Sequence, residues 1–223
     1  MSVKTIYEQL RSYGLTKEGA CGLLGNFQAE SALRSNNVED RSGMDDDKYV
    51  ALVDGGSYDF LTDYGHHYGF GLAQWTLASR KEGLQNMAKK RGVSIADEAI
   101  QIDFAVWELQ NQFQSVWQVL TGSHDLYEAT RIVCIQYEKP AVNNIEARFR
   151  FATQLFSELA NGEPVPMPDP EPAPAPQQEG ETVVAVLQTL MRRDGYWDGP
   201  IDGIRTPEWR AAVLEWATDV ASC

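Results

Sequence analysis

Between residues 162 and 180 the sequence reads GEPVPMPDPEPAPAPQQEG, and no hydrophobic core can run through it. Seven of the chain's ten prolines fall there, nearly alternating with small or acidic residues. Each proline fixes φ and removes a backbone donor, so the segment favours extended polyproline II and serves as a semi-rigid spacer. The 223 residues therefore divide into a first domain at 1–161, the spacer at 162–180 and a second domain at 181–223. The first has the length of one ordinary domain, while the second, at about forty residues, has a marginal core.

At 43% hydrophobic and 10% aromatic the chain can bury a sizeable core. Its formal net charge of −13 argues against nucleic acid and anionic membranes as partners, since both call for basic patches. The opening MSVKTIYEQLRSYG shows no basic stretch followed by an apolar one, so no secretory signal is expected. No apolar run approaches a membrane span either. Such a chain is expected to stay in the cytoplasm that makes it, or to be released by another agent. Cys21, Cys134 and Cys223 form no disulfide framework, being few and odd in number.

The first domain reads as mostly helical. Helices are predicted over Val3–Tyr13 and from a Thr16 cap to about Leu33. Residues 34–69 are rich in Gly, Asp, Asn and Ser and predict an irregular loop with at best a small hairpin. Helical periodicity resumes after Gly71 and is strongest from Asp97 to Leu120. Two more helices fit Asp125–Tyr137 and Ile145–Leu159, parted by Lys139-Pro140. The expected class is α+β, mostly α.

The stretch 21-CGLLGNFQAES-31 raises a chemical question. At about 100° per residue Glu30 lies roughly 20° from Leu23 and 60° from Phe27, on the stripe that should face the core. Gly19, Gly22 and Gly25 recur at every third position, each costing about 1 kcal/mol against alanine. Such a cost is reasonable if another helix or a ligand must come close. Burial and the negative end of the helix dipole both favour a protonated carboxyl. A proton held there suits protonation of a poor leaving group such as a glycosidic oxygen. The plain alternative is an exposed glutamate in a fraying last turn.

Two motifs, 22-GLLGNFQAESAL-33 and 68-YGFGLAQWTLASR-80, together with 136-QYEKPAVNNIEARFRFA-152, resemble the phage tail-type lysozyme family, a branch of the lysozyme-like fold. The resemblance spans roughly residues 5–155. It implies a cell-wall muramidase with Glu30 as general acid and no cofactor.

Glycoside hydrolysis usually uses a second carboxylate. The insertion offers many, and Asp63, beside the YGFG motif, is the first candidate, with Asp59 behind it. Asp45, Asp46 and Asp47 read as a solvated charge run. If no second carboxylate takes part, the substrate's own hydroxyl could attack, which makes a lytic transglycosylase. Gln74 and Trp75 are candidate substrate contacts through hydrogen bonding and stacking, and Tyr68 and Phe70 join them. A buried, loop-anchoring Trp75 is the competing reading. In related folds a late-helix tyrosine approaches the acid, which nominates Tyr137; Glu138 and Arg148 are expected as a structural ion pair beneath the site.

Other chemistries compete. Cys21 with His66 or His67 could make a peptidase or amidase, although Cys21 sits inside a helix among apolar neighbours. A zinc site lacks its usual spacings, so no metal is expected. A non-catalytic wall-binding protein is the third alternative.

The stretch 183-VVAVLQTLMRRDGYWDGPIDGIRTPEWRAAVLEWA-217 resembles the small three-helix peptidoglycan-binding domain of wall hydrolases, departing from it around Arg205–Trp209. Tyr196 and Trp197 are candidate contacts to glycan or stem peptide, and Asp202 can bond its own loop. The combined expectation is a monomeric phage endolysin, made without a signal in the host cytoplasm and acting on bacterial peptidoglycan after release.

Overall fold

Ser2 accepts a hydrogen bond from Thr5 N and starts α1, Val3–Ser12, which turns Ile6, Tyr7 and Leu10 inward. The computed structural model describes residues 2–60, 68–140, 142 and 144–160, and in the C-terminal part 188, 191, 212 and 213. The chain separates into two compact units, Met1–Met167 and Pro168–Cys223. In the second, Gln188 and Met191 are helical and buried, and Ala212 and Val213 helical and half-buried. The spacer and Tyr196, Trp197 and Asp202 lie outside the described residues.

The second helix, α2, runs Lys17–Ser31 from the predicted cap, Thr16 Oγ1 accepting from Gly19 N. Every residue from Gly19 to Phe27 is buried, so α2 is covered on all sides rather than along one stripe. The glycine repeat shows how. Gly19 backs onto the Leu120 carbonyl, a Cβ on Gly22 would lie 2.9 Å from Ala129 Cβ, and one on Gly25 2.7 Å from Ala152 Cβ. These neighbours belong to α6 (Gln114–Gly122), α7 (Leu126–Ile132) and α8 (Ile145–Leu159). Each glycine thus admits a different helix.

The stretch expected as loop at 34–69 is partly helical. A 3-10 turn at Asp40–Ser42 is followed by α3, Asp46–Asp54, with Asp45 accepting from Lys48 N as its cap. The acidic run is therefore a helix start, where carboxylates complement the dipole, and Asp46 also accepts from Val38 N at 2.9 Å. Among the described residues, β-structure is one antiparallel bridge, Val38 to Phe70. The unit is mostly helical and lysozyme-like, as expected, and among the described residues that bridge is the β share of the class.

After α4 (Ala78–Arg91), the periodicity expected to run unbroken from Asp97 is cut at Gln112-Phe113, giving α5 (Glu98–Asn111) and α6. The helix predicted to end at Tyr137 leaves α-geometry at Ile132 and continues as a π-helical turn, Val133–Glu138, closed by Lys139 at φ 50°. The helix α8 has the predicted bounds. No helix among the described residues is long and apolar enough to cross a membrane.

Candidate active site

Glu30 occupies the last turn of α2, with its side chain 20% exposed, three residues past the buried stretch Gly19–Phe27. Just past it, Ala32 and Leu33 both take left-handed backbone, at φ 53° and 58°. For residues with a Cβ that costs about 1–2 kcal/mol each. Ser31 Oγ holds this turn in place by donating to Leu72 O at 3.0 Å, which ties the end of α2 to the YGFG loop.

The loop itself is built on Gly69 and Gly71. Glu39 N donates to Gly69 O, Gly71 N donates to Asn37 O, and Phe70 and Trp75 exchange backbone bonds at 3.0 and 3.2 Å. Gly71 has φ 74°, and a Cβ there would meet Gln101 Oε1 at 2.6 Å. Gln101 is fully buried, accepting from Leu72 N and donating to Ser35 O and Ile95 O.

Arg148 of α8 completes the first charged group. Its Nη2 lies 2.5 Å from Glu30 Oε1 and its Nη1 donates to Asn26 Oδ1 at 3.1 Å. Asn26, one turn before Glu30, donates to Gly22 O and Thr130 O, so it links α2, α7 and α8. The expected pairing of Arg148 with Glu138 is thus corrected: the guanidinium turns to Glu30.

A second charged group centres on Glu108 of α5, which is fully buried. It accepts from Arg80 Nε and Nη2 at 2.6 and 2.8 Å, from Trp75 Nε1 at 2.8 Å and from Tyr137 OH at 2.8 Å. All these partners satisfy the buried carboxylate. Trp75 is consequently 0% exposed, with no indole face open to a sugar, and it packs edge-on to Phe104 at 5.5 Å. Tyr137, 2% exposed, reaches Glu108 rather than Glu30, and burial and that carboxylate push its phenol well above the ordinary range.

The other nominated contacts divide. Gln74, half-buried at φ 45°, spends its amide on Asn37 O and Gly71 O, which braces the loop. Phe70 is fully buried with its ring 4.9 Å from Tyr49. Tyr68 is half-buried and its carbonyl accepts from Lys81 Nζ at 3.0 Å. Asp59 is exposed beyond α3, between Tyr58 and Phe60. Asp63, His66 and His67 lie outside the described residues. Most other acids of the insertion have structural tasks: Asp54 caps Ile95 N at 2.8 Å, and Glu39 accepts from Gly69 N at 3.1 Å.

Cys21 is fully buried, and its thiol is pushed up to about 12, first by burial and then by the Glu18 charge. A thiol held protonated is a poor nucleophile.

Asn26, Glu108, Arg80 and the Arg148–Glu30 pairing escaped the sequence reading. The available signal was polar residues on apolar stripes: Asn26 a turn ahead of Glu30, and Gln101 two turns ahead of Glu108 beside Phe104 and Ala105.

The sequence profile of phage tail lysozymes matches residues 2–159. The chain belongs to the phage tail lysozyme family. Its relatives include Morphogenesis protein 1 of Bacillus phage B103, 25% identical over 166 residues, or 71% of this chain and 39% of that protein. The chain thus spans about two fifths of the relative's length. The phage tail lysozyme match ends at the last residue of α8, so it takes in Glu30, Arg148 and the YGFG loop.

Proposed function

We propose that the first unit is a muramidase that cleaves the N-acetylmuramic acid–N-acetylglucosamine bond of peptidoglycan, with Glu30 as general acid. The observation that carries this reading is the placement of Glu30: a partly open carboxyl in the last turn of α2, braced by Arg148, which Asn26 holds in turn. Glu30 protonates the glycosidic oxygen while positive charge develops on the sugar ring. Asp63, and after it Asp59, are proposed to stabilise that charge or activate water. The second unit is proposed to hold the enzyme on the wall, raising its effective concentration there. Release as an endolysin and a place in the virion are both consistent with a phage tail lysozyme; mass spectrometry of purified virions separates them.

The reading is tested by digesting purified peptidoglycan with the wild type, Glu30→Gln and Cys21→Ala, and analysing fragments by mass spectrometry. Reducing muramic acid ends that vanish in Glu30→Gln are expected. Anhydro ends would make the enzyme a lytic transglycosylase. New free amines lost in Cys21→Ala would replace the glycosidase with a peptidase. Binding to the wall without any release would leave a non-catalytic protein.

A further inference from the structure

On α4, Gly83, Met87 and Lys90 recur at the spacing that puts them on one face, and Phe104 and Trp107 do the same on α5. Together with Asn86, the two faces line a half-open groove of about 310 Å³. Phe104 is buried and forms its floor, and Gly83 leaves that floor uncovered, since a Cβ there would stand 3.0 Å from Phe104 Cε2. Trp107 stacks beside Phe104, with ring planes 16° apart and centroids at 5.9 Å, yet it is 43% exposed. The other described tryptophans differ: Trp75 is buried and Trp117 half-buried. An indole already held by a neighbouring ring loses little freedom when a ligand covers it.

We propose that this groove is a second contact for the peptidoglycan strand: one sugar ring stacks on Trp107, and a carboxylate of the stem peptide on muramic acid meets Lys90. The proposal rests on the muramidase reading for its choice of ligand. The lining suits such a ligand. A pyranose carries C–H bonds across its face and hydroxyl or amide groups round its edge, so it fits an apolar platform with polar groups at the rim. Met87, Phe104 and Trp107 supply the platform, and the exposed Asn86 and Lys90 stand one turn apart at its edge. The volume is at the small end for ligand pockets, which fits one ring of a chain whose other rings stay outside. Charge points the same way. The protein is acidic, at −13, but α4 ends on Lys89, Lys90 and Arg91. Arg91 is paired with Asp103 at 3.1 Å, and Lys90 is the one cation among the lining residues.

None of the lining residues belongs to α2, α8 or the YGFG loop, so the groove is separate from the groups that hold Glu30. It is still part of the same packed body. Phe104 meets Trp75 edge-on at 5.5 Å, and Trp75 exchanges backbone bonds with Phe70, whose loop Ser31 fastens to the end of α2. A strand held at Trp107 is therefore held on a frame continuous with the acid. Strands long enough to reach both places gain a contact that short ones lack.

The test titrates full-length Glu30→Gln with un-cross-linked glycan strands that keep their stem peptides, and separately with chitohexaose. NMR follows the indole N–H of Trp107, assigned with Trp107→Phe. That signal is expected to shift with both ligands. Adding Lys90→Gln should weaken binding of the peptide-bearing strands about two- to fivefold and leave chitohexaose unchanged. With Glu30 intact, Trp107→Ala should raise KM for long strands about three- to tenfold, with the change in KM rather than kcat and Trp107→Phe in between. A Trp107 signal unmoved at saturation overturns the groove, and so does a wild-type KM in Trp107→Ala. Unaltered strand affinity in Lys90→Gln overturns the carboxylate contact. Self-association in sedimentation equilibrium that Trp107→Ala abolishes would make the face a contact between copies and overturn the proposal as well. The muramidase reading fails separately: a shifted Trp107 signal with no reducing ends released by wild type removes the muramidase and leaves the strand contact standing.

Discussion

Trp75→Phe keeps a ring in place but deletes the indole N–H that Glu108 Oε2 accepts at 2.8 Å. Leaving that buried carboxylate one donor short should lower stability by about 1–3 kcal/mol in denaturant melts, with activity per folded molecule near wild type. Lost activity at unchanged stability would restore Trp75 as a sugar contact. At Cys21, burial and the raised thiol predict that, in a Cys223→Ser background, native protein stays silent to an aromatic disulfide reagent and reacts only after denaturation. Rapid native labelling would reopen the peptidase. These residues show how far single positions were legible. The sequence placed Cys21 among apolar neighbours, which local order decides, whereas the single core-facing stripe expected for Glu30 gave way to a helix buried all round from Gly19 to Phe27. It left Trp75 undecided, since packing and stacking call for the same side chain and only Glu108, 33 residues away, separates them.

At the scale of elements, α2 is the organising piece. Its glycines sit where α6, α7 and α8 come closest, and a Cβ on Gly25 would also lie 2.8 Å from the Arg148 carbonyl. Gly25→Ala must therefore push α8 outward and carry Arg148 with it. The expected cost is about 1–3 kcal/mol from overpacking, together with a loss of activity larger than the unfolded fraction explains. Gly122→Ala is the control, because open space surrounds that position at the end of α6 and the substitution should be neutral or slightly stabilising. Equal effects at both sites would remove close helix approach as the reason for the repeat. The repeat itself was plain in the sequence, and so was the demand for a close neighbour. Which neighbour was not, since a glycine records the space left open and not what fills it. The acidic start of α3 was hidden for a related reason: Asp45–Asp47 resembles a solvated run until the dipole of a helix lies behind it.

For the whole molecule, the division into Met1–Met167 and Pro168–Cys223 and the family match at 2–159 predict a first unit that folds by itself. A fragment of residues 1–167 should melt cooperatively near the temperature of the full chain and release the same products from soluble glycan strands. Its sedimentation with intact peptidoglycan should drop if the second unit anchors the enzyme, as proposed. Undiminished sedimentation would move wall recognition into the first unit. If the second unit recruits the enzyme as proposed, a net charge of −13 gives no attraction to anionic wall polymers, and binding of the full chain should tolerate salt above the physiological range.

By itself the sequence determined what depends on neighbours a few residues away: the Thr16 cap and the bounds of α8. The tertiary structure decided which charge answers which. Arg148 meets Glu30 across 118 residues of chain, and Arg80 meets Glu108. Capping and periodicity are set by backbone geometry within a turn or two, so they can be read from local order. Ion pairing in a buried cluster depends on how several helices pack at once and on how few cations they bring, and no stretch of sequence holds that sum.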